Sequence, residues 1–285
     1  MAQSRVTEPS LDIRPIAGNI GAEVYGVDTS KDLDAGTIAA LRKALLDHLV
    51  IFLPKQTLTP EQQLRFARRF GEPMIYPFVK GLNDFPEVTP ILKKEEDRNN
   101  FGGIWHSDTV YQDAPPMGTM LYALELPPFG GDTLFANQYL AYESLSDGMK
   151  TLLAPLKAIH ISGKGRVQQT RTDMMKHASA GLKGDELESC HPVVRTHPET
   201  GRKALYVNVA HTVRFDGMTE EESAPILEFL FSHQIQPEFT CRFRWSERAL
   251  AFWDNRAAMH YPVNDYHGFR RLMHRITLTG DRPFQ

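Results

Sequence analysis

The sequence predicts a mainly β protein with flanking helices. Three observations point there: many short apolar or alternating segments, the Gly and Pro residues that separate them, and the few stretches with helical spacing. Short strands of this kind build a sandwich or a barrel. A chain of 285 residues fits one domain, 1–285, behind a loose polar tail over 1–10. Its 41% hydrophobic and 24% charged residues are ordinary for a globular protein with a core.

The elements follow in order. Leu11 to Asp28 alternates around glycines and reads as two short strands with a turn near Gly18–Gly21. Leu33 to His48 places Ile38, Leu41, Leu45 and Leu46 at helical spacing. The apolar run from His48 to Leu53 stops at Pro54 and reads as a buried strand. Thr59 to Phe70 carries a helix start signal, T-x-x-Q with Pro60 in the first helical position, and Gly71 follows it. Glu143 to Ala154 reads as one helix. Thr219 to His233 reads as another, with Glu222 three residues after the capping Thr219. Strands are expected over Met117–Glu125, Thr133–Asn137, Ala204–Val209, Thr240–Trp245, Ala249–Trp253 and Arg271–Gly280. The N-terminal helices and the 219–233 helix are expected to cover one face. Residues 163–190 show no clear period, and a stretch of that length is a candidate active-site lid.

Composition excludes several classes. The net charge is -3 and Lys and Arg are scattered, so neither nucleic acid nor a membrane surface is an expected partner. No apolar run approaches the roughly 20 residues that span a bilayer, and the first ten residues lack a signal-peptide core. Two cysteines, Cys190 and Cys241, read as free thiols in a cytoplasmic protein.

The first chemically loaded stretch is Trp105-His106-Ser107-Asp108. On a strand, residues i and i+2 face the same way, so His106 and Asp108 can aim an imidazole and a carboxylate at one point. The H-x-D pair alone carries little weight in a chain with 11 His and 35 Asp and Glu. His260, in WDNRAAMHYP, supplies a third ligand. Two histidines and one carboxylate on one face of an iron leave three positions open, the facial triad of non-haem Fe(II) oxygenases. Further along, Arg271 and Arg275 fall on one face of a strand-like segment. A guanidinium can fork two hydrogen bonds to a carboxylate and so hold the far end of a keto acid. Gly130 and Gly131 read as a turn presenting Thr133.

Several ordered segments carry a resemblance: GAEVYGVD, LVIFLPKQTLTPEQQLRFARRFGEP, WHSDTVYQDAPP, LPPFGGDTLFAN, HPVVRTHPETGRKALYVN, FWDNRAAMHYPVNDY and RRLMHRITLTGDRPF. From about Ile13 to Phe284 the chain resembles the taurine/2-oxoglutarate (TauD/TfdA-like) dioxygenase family. The resemblance implies a double-stranded β-helix, or jelly-roll, core. It implies His106, Asp108 and His260 as ligands of Fe(II), with Thr133 and Arg271 binding 2-oxoglutarate. It implies O2-dependent hydroxylation of a small anionic organic substrate, a sulfonate, sulfate ester, aryloxyalkanoate or similar acid, with release of succinate and CO2. Cleavage of a carbon–heteroatom bond can follow. Dimers or tetramers are common among such proteins.

Arg275 matches the position that taurine-type relatives use for the sulfonate. Other expected taurine contacts are changed. Tyr76 and Val79 stand where a His and a Tyr are expected, Gly102 replaces an Asn, and His211 replaces a Phe. Taurine itself is therefore disfavoured. Tyr76, Val79, Tyr111 and His211 suit a larger or more apolar body. Other outcomes for the same residues are desaturation or cyclisation, a zinc hydrolase, and a non-catalytic jelly-roll binding protein.

Overall fold

The computed structural model describes residues 11–177 and 187–285; the 1–10 tail lies outside them. In chain order the elements are β1 (Asp12–Pro15), β2 (Ala22–Tyr25), α1 (Ala35–His48), β3 (Val50–Leu53), α2 (Pro60–Ala67), β4 (Pro73–Met74), β5 (Thr89–Lys93), β6 (Gly118–Glu125), β7 (Thr133–Asn137), α3 (Gln138–Glu143), α4 (Asp147–Leu153), β8 (Lys157–Ile161), α5 (Gly165–His177), β9 (Glu188–Pro192), β10 (Val194–Thr196), β11 (Lys203–Leu205), β12 (Thr212–Phe215), α6 (Glu220–His233), β13 (Thr240–Phe243), β14 (Leu250–Asp254), β15 (Ala258–Pro262) and β16 (Arg271–Leu278).

The principal sheet runs β1-β2-β3-β14-β6-β16-β4, with β5 also paired to β16. A second sheet, β13-β7-β15, faces it. Strand period explains the layering. On β14, Ala251 and Trp253 point into a core shared with Phe135, Phe243 and Ala258 of the second sheet. Leu250 and Phe252 point the other way, onto Leu41 and Leu45 of α1 and Leu64 and Phe66 of α2. Phe52 and Phe243 stack across the inter-sheet core with ring centroids 3.7 Å apart. The sheets stay open rather than closing into one barrel.

Local chemistry sets the helix starts. Thr59 and Gln62 form a reciprocal capping box on α2, and Thr219 and Glu222 form one on α6. The structure departs from the sequence reading in four places. The helix expected over Glu143 to Ala154 begins only at Asp147, because Ser146 accepts a hydrogen bond from Met149 N and caps α4, while Glu143 ends the separate helix α3. Of Ala204–Val209 only the first two residues are in β11, since Thr212 and Asn208 side chains capture backbone N–H groups and pull the chain out of the ladder. Helices α1 and α2 cover the principal sheet, whereas α6 packs on the separate sheet β12-β8-β9. Residues 163–190 hold helix α5 and most of strand β9; within them 178–186 lie outside the described residues. No helix among the described residues is long and apolar enough to cross a membrane.

Candidate metal centre and active site

His106 sits at the edge of the second sheet as an isolated antiparallel bridge to His260 of β15. The chain then turns, with Thr109 at φ 42°, so Asp108 stands in a turn rather than on the strand expected for it. The turn still brings its carboxylate to the imidazoles. Asp108 Oδ1 lies 3.7 Å from His106 Nε2 and 3.9 Å from His260 Nε2. One ligand atom from each of the three falls within 4.8 Å of the others, the only such His/Cys/Asp/Glu cluster among the described residues.

The donor set fits a divalent metal. His106 Nδ1 lies 2.7 Å from Ile104 O, a bond that takes the ring's N–H and leaves the Nε2 lone pair facing Asp108. Burial favours the neutral form of both imidazoles, pushing His106 down and His260 well down. Burial also opposes the Asp108 charge, but Arg275 and the two histidines outweigh it and hold the carboxyl well below the usual carboxylate range. Two neutral imidazoles and one carboxylate remain, in a buried site. Behind them, Trp253 Nε1 donates to Asn255 Oδ1 and Asn255 Nδ2 donates to Thr119 Oγ1. Thr119 Oγ1 in turn donates to Asp108 Oδ2 at 2.7 Å. Oδ2 is thereby occupied, and Oδ1 is the oxygen that faces both imidazoles, with the Arg275 guanidinium beside it.

Two cavities meet at this cluster. The first is lined by Thr133, Trp253, His260, Arg271 and Arg275, among others. Arg271 is 5% exposed, and its Nε and Nη2 have no hydrogen-bond partner. Unpartnered buried donors are costly, so the cavity is built for an anion. Thr133 Oγ1 accepts from Trp245 Nε1 at 3.0 Å, which leaves its own proton for a ligand. Gly131 N donates to Asp265 Oδ1 at 2.8 Å and fixes the turn before Thr133. The second cavity is lined by Tyr76, Phe101, Gly102, Tyr111, Arg171, His211 and Arg275, among others. Arg275 Nη2 approaches Asp108 Oδ1 to 2.8 Å as an ion pair without hydrogen-bond alignment, and its guanidinium lies over the Tyr76 ring.

The model of the taurine catabolism dioxygenase TauD, TfdA family matches residues 12–277. The chain belongs to that family. An alpha-ketoglutarate-dependent sulfate ester dioxygenase of Pseudomonas putida is 36% identical over 279 residues, which cover 96% of this chain and 91% of the relative. An (S)-phenoxypropionate/alpha-ketoglutarate dioxygenase of Sphingobium herbicidovorans is 31% identical and covers 96% of each. The crystal structure of a putative alpha-ketoglutarate-dependent taurine dioxygenase from Burkholderia xenovorans superposes with a TM-score of 0.83 at 36% identity, over 96% of this chain and 94% of that one. As a TauD/TfdA-family member the protein is an oxidoreductase, a dioxygenase dependent on 2-oxoglutarate and O2, with a jelly-roll core.

Within this TauD/TfdA frame, the structure brings Tyr76, Tyr111, His211 and Arg275 to the second cavity. The His211 ring meets Tyr111 edge-on at 5.0 Å, and its Nδ1 bonds to Ile161 O. Val79 is not on the cavity wall. It packs behind, with Tyr76, Phe78 and Tyr111 in a separate apolar cluster, because the loop after β4 turns its side chain inward. Sequence reasoning missed Thr119, Asn255, Phe101 and Arg171. A hydroxyl or amide inside a strand or turn gives no local signal of a partner more than a hundred residues away. Arg171 was hidden in the stretch read as loop.

Proposed function

We propose that His106, Asp108 and His260 hold Fe(II), that Arg271 and Thr133 hold 2-oxoglutarate, and that the enzyme hydroxylates a small anionic organic molecule seated against Arg275. The preferred classes are the sulfate esters, sulfonates and aryloxyalkanoates. The observation that carries this reading is the buried triad with two unpartnered N–H groups of the Arg271 guanidinium, Nε and Nη2, in the same cavity. A zinc hydrolase would have no use for that guanidinium.

Bound Fe(II) with 2-oxoglutarate and O2 supplies an oxidant able to break a substrate C–H bond, leaving succinate and CO2. The chain's own groups position and shield. Arg271 offers two N–H donors in a fork that matches a carboxylate, with the Thr133 hydroxyl beside it. Arg275 balances the Asp108 charge and borders the substrate cavity. Phe101, Tyr76 and Tyr111 exclude water from the reacting centre. Helix α5, with Val167 and Arg171 on the cavity wall, covers the substrate cavity. Hydroxylation at a carbon next to a heteroatom gives an unstable product, and its collapse releases the anion and an aldehyde. The two unpaired thiols fit a reducing, cytoplasmic setting.

The test is a screen of small sulfates, sulfonates and aryloxy acids read by substrate-dependent succinate formation. A companion measurement loads the protein with Fe(II) and 2-oxoglutarate without oxygen, where a visible metal-to-ligand charge-transfer band is expected. No band and no succinate with any class overturns the reading.

A further inference from the structure

The second cavity contains two buried guanidiniums and one carboxylate. Arg275 has its counter-charge, Asp108, at 2.8 Å. Arg171, carried by α5, has none among the described residues. It is 9% exposed. Its Nη1 donates to Ser162 O at 3.1 Å, its Nη2 reaches Tyr111 Oη only at 3.5 Å, and its guanidinium lies over the Phe78 ring at 4.7 Å. A cation buried without a counter-charge is costly. With no counter-charge among the described residues, the cavity that Arg171 lines is where an anion would compensate it, and Arg275 lines the same cavity from β16.

We propose that Arg171 is a specificity-determining residue that grips the anionic head of the substrate together with Arg275, and that this pair selects a tetrahedral three-oxygen head, an organic sulfate or sulfonate, over a carboxylate. The proposal rests on the function argued above and narrows it. A carboxylate has two oxygens, and one guanidinium fork uses both. A sulfate monoester or sulfonate has three terminal oxygens, enough for a fork from Arg275 and a further bond from Arg171. The rings of Tyr76 and Tyr111 lie under the Arg275 and Arg171 guanidiniums at 4.9 and 5.9 Å. Arg171 lines only the second cavity, away from Arg271 and Thr133, so it is the member of the pair that the co-substrate does not reach, while Arg275 borders both cavities.

The experiment uses the full chain loaded with Fe(II) and 2-oxoglutarate, without O2. Linear alkyl sulfates and carboxylates of matched chain length are titrated by calorimetry into wild type, Arg171→Met, Arg171→Lys and Arg275→Met. The wild type is expected to bind the sulfates more tightly. Arg171→Met should lose about ten-fold or more in sulfate affinity, the size of a charge-assisted hydrogen bond, and change carboxylate affinity by less than about two-fold. Arg171→Lys should recover part of the sulfate affinity through its charge. The Kd for 2-oxoglutarate serves as the control for a correctly folded site. Equal weakening of both ligand classes, or no change in either, overturns the proposal, since the bond to Ser162 O alone would act on both. Wild-type turnover of carboxylates but not sulfates also overturns it and leaves the broader function standing. No succinate from any class in the wild type overturns the broader function itself.

Discussion

His106 and His260 are each other's backbone partners. His106 N donates to His260 O at 3.1 Å and His260 N donates to His106 O at 2.8 Å. Residues opposite one another across an antiparallel pair carry their side chains on one face. The two imidazoles accordingly lie with centroids 4.1 Å apart. The bridge fixes one imidazole against the other before any metal arrives. His260→Ala keeps the bridge, because its hydrogen bonds are backbone bonds, but removes a ligand. The expected outcome is a near-native melting temperature without metal, loss of the charge-transfer band and no succinate above background. Retained turnover would remove His260 from the ligand set.

The two arginines of β16 should separate in kinetics. Arg271 and Arg275 point to the same side of the strand; Arg275 borders both cavities, whereas Arg271 borders only the one with Thr133. Arg271→Ala is expected to raise the KM for 2-oxoglutarate by about ten-fold to a hundred-fold, the range for a lost charge-assisted fork, with little change in substrate KM. Arg275→Ala should show the reverse pattern. Steady-state kinetics with each co-substrate varied in turn checks both. Equal effects of both variants on both KM values would refute the division of labour.

Gly102 has a geometric duty to the metal centre. It adopts φ +70°, and a Cβ there would come within 2.9 Å of His106 Cε1 and 3.2 Å of His106 Nε2. A side chain at 102 must push the ligand ring away. Gly102→Ala is expected to weaken Fe(II) binding about ten-fold or more while costing roughly 1–2 kcal/mol of stability through the left-handed backbone. Gly217→Ala provides the control: it has a similar φ of +78° with open space around it, so it should carry the strain and leave the metal alone. Competition against a metal-binding dye reads the difference. Equal metal affinity in the two variants would refute the steric account.

Which parts of this were legible in the sequence follows from how local each signal is. Both capping boxes lie within four residues, and the chain forms them as written. The spacing of Arg271 and Arg275 encodes a shared strand face, and β16 provides it. Helix α5 was not legible. Its sequence, GRVQQTRTDMMKH, has little apolar period, and the helix is tied down by tertiary bonds, from Arg98 N and Asn99 N to Asp173 and from Arg171 to Ser162 O. Arg171 was missed with it. The Asn255–Thr119 bond joins residues 136 apart in sequence, a separation at which no spacing rule operates. Val79 differs again: its residue type suits a cavity wall as well as a packing position, and only the path of the loop decides.

Asp254 ends β14 just before the turn that leads to His260, and it is fully buried. Its carboxylate accepts from Arg256 Nε at 2.8 Å and from Arg256 Nη2 at 2.6 Å, and it meets His197 Nε2 at 3.0 Å. Burial opposes the charge, yet Arg256 and His197 more than offset it and hold Asp254 far below the usual carboxylate range. Asp254→Asn keeps the shape and removes the charge, leaving Arg256 buried with Glu199 as its one counter-ion among the described residues. Breaking one side of a buried ion pair costs about 3–5 kcal/mol, so urea unfolding at neutral pH should show a loss of that order. The pH dependence has a definite sign. A carboxyl whose folded-state value is depressed adds stability at every pH above its unfolded value and loses it as pH falls through the folded one. The gap between wild type and Asp254→Asn should thus hold steady from pH 8 to pH 5 and close only in strong acid. A gap below about 1 kcal/mol, or one that fades between pH 8 and pH 6, would show that this buried charge is not what anchors the strand end carrying the chain toward the metal.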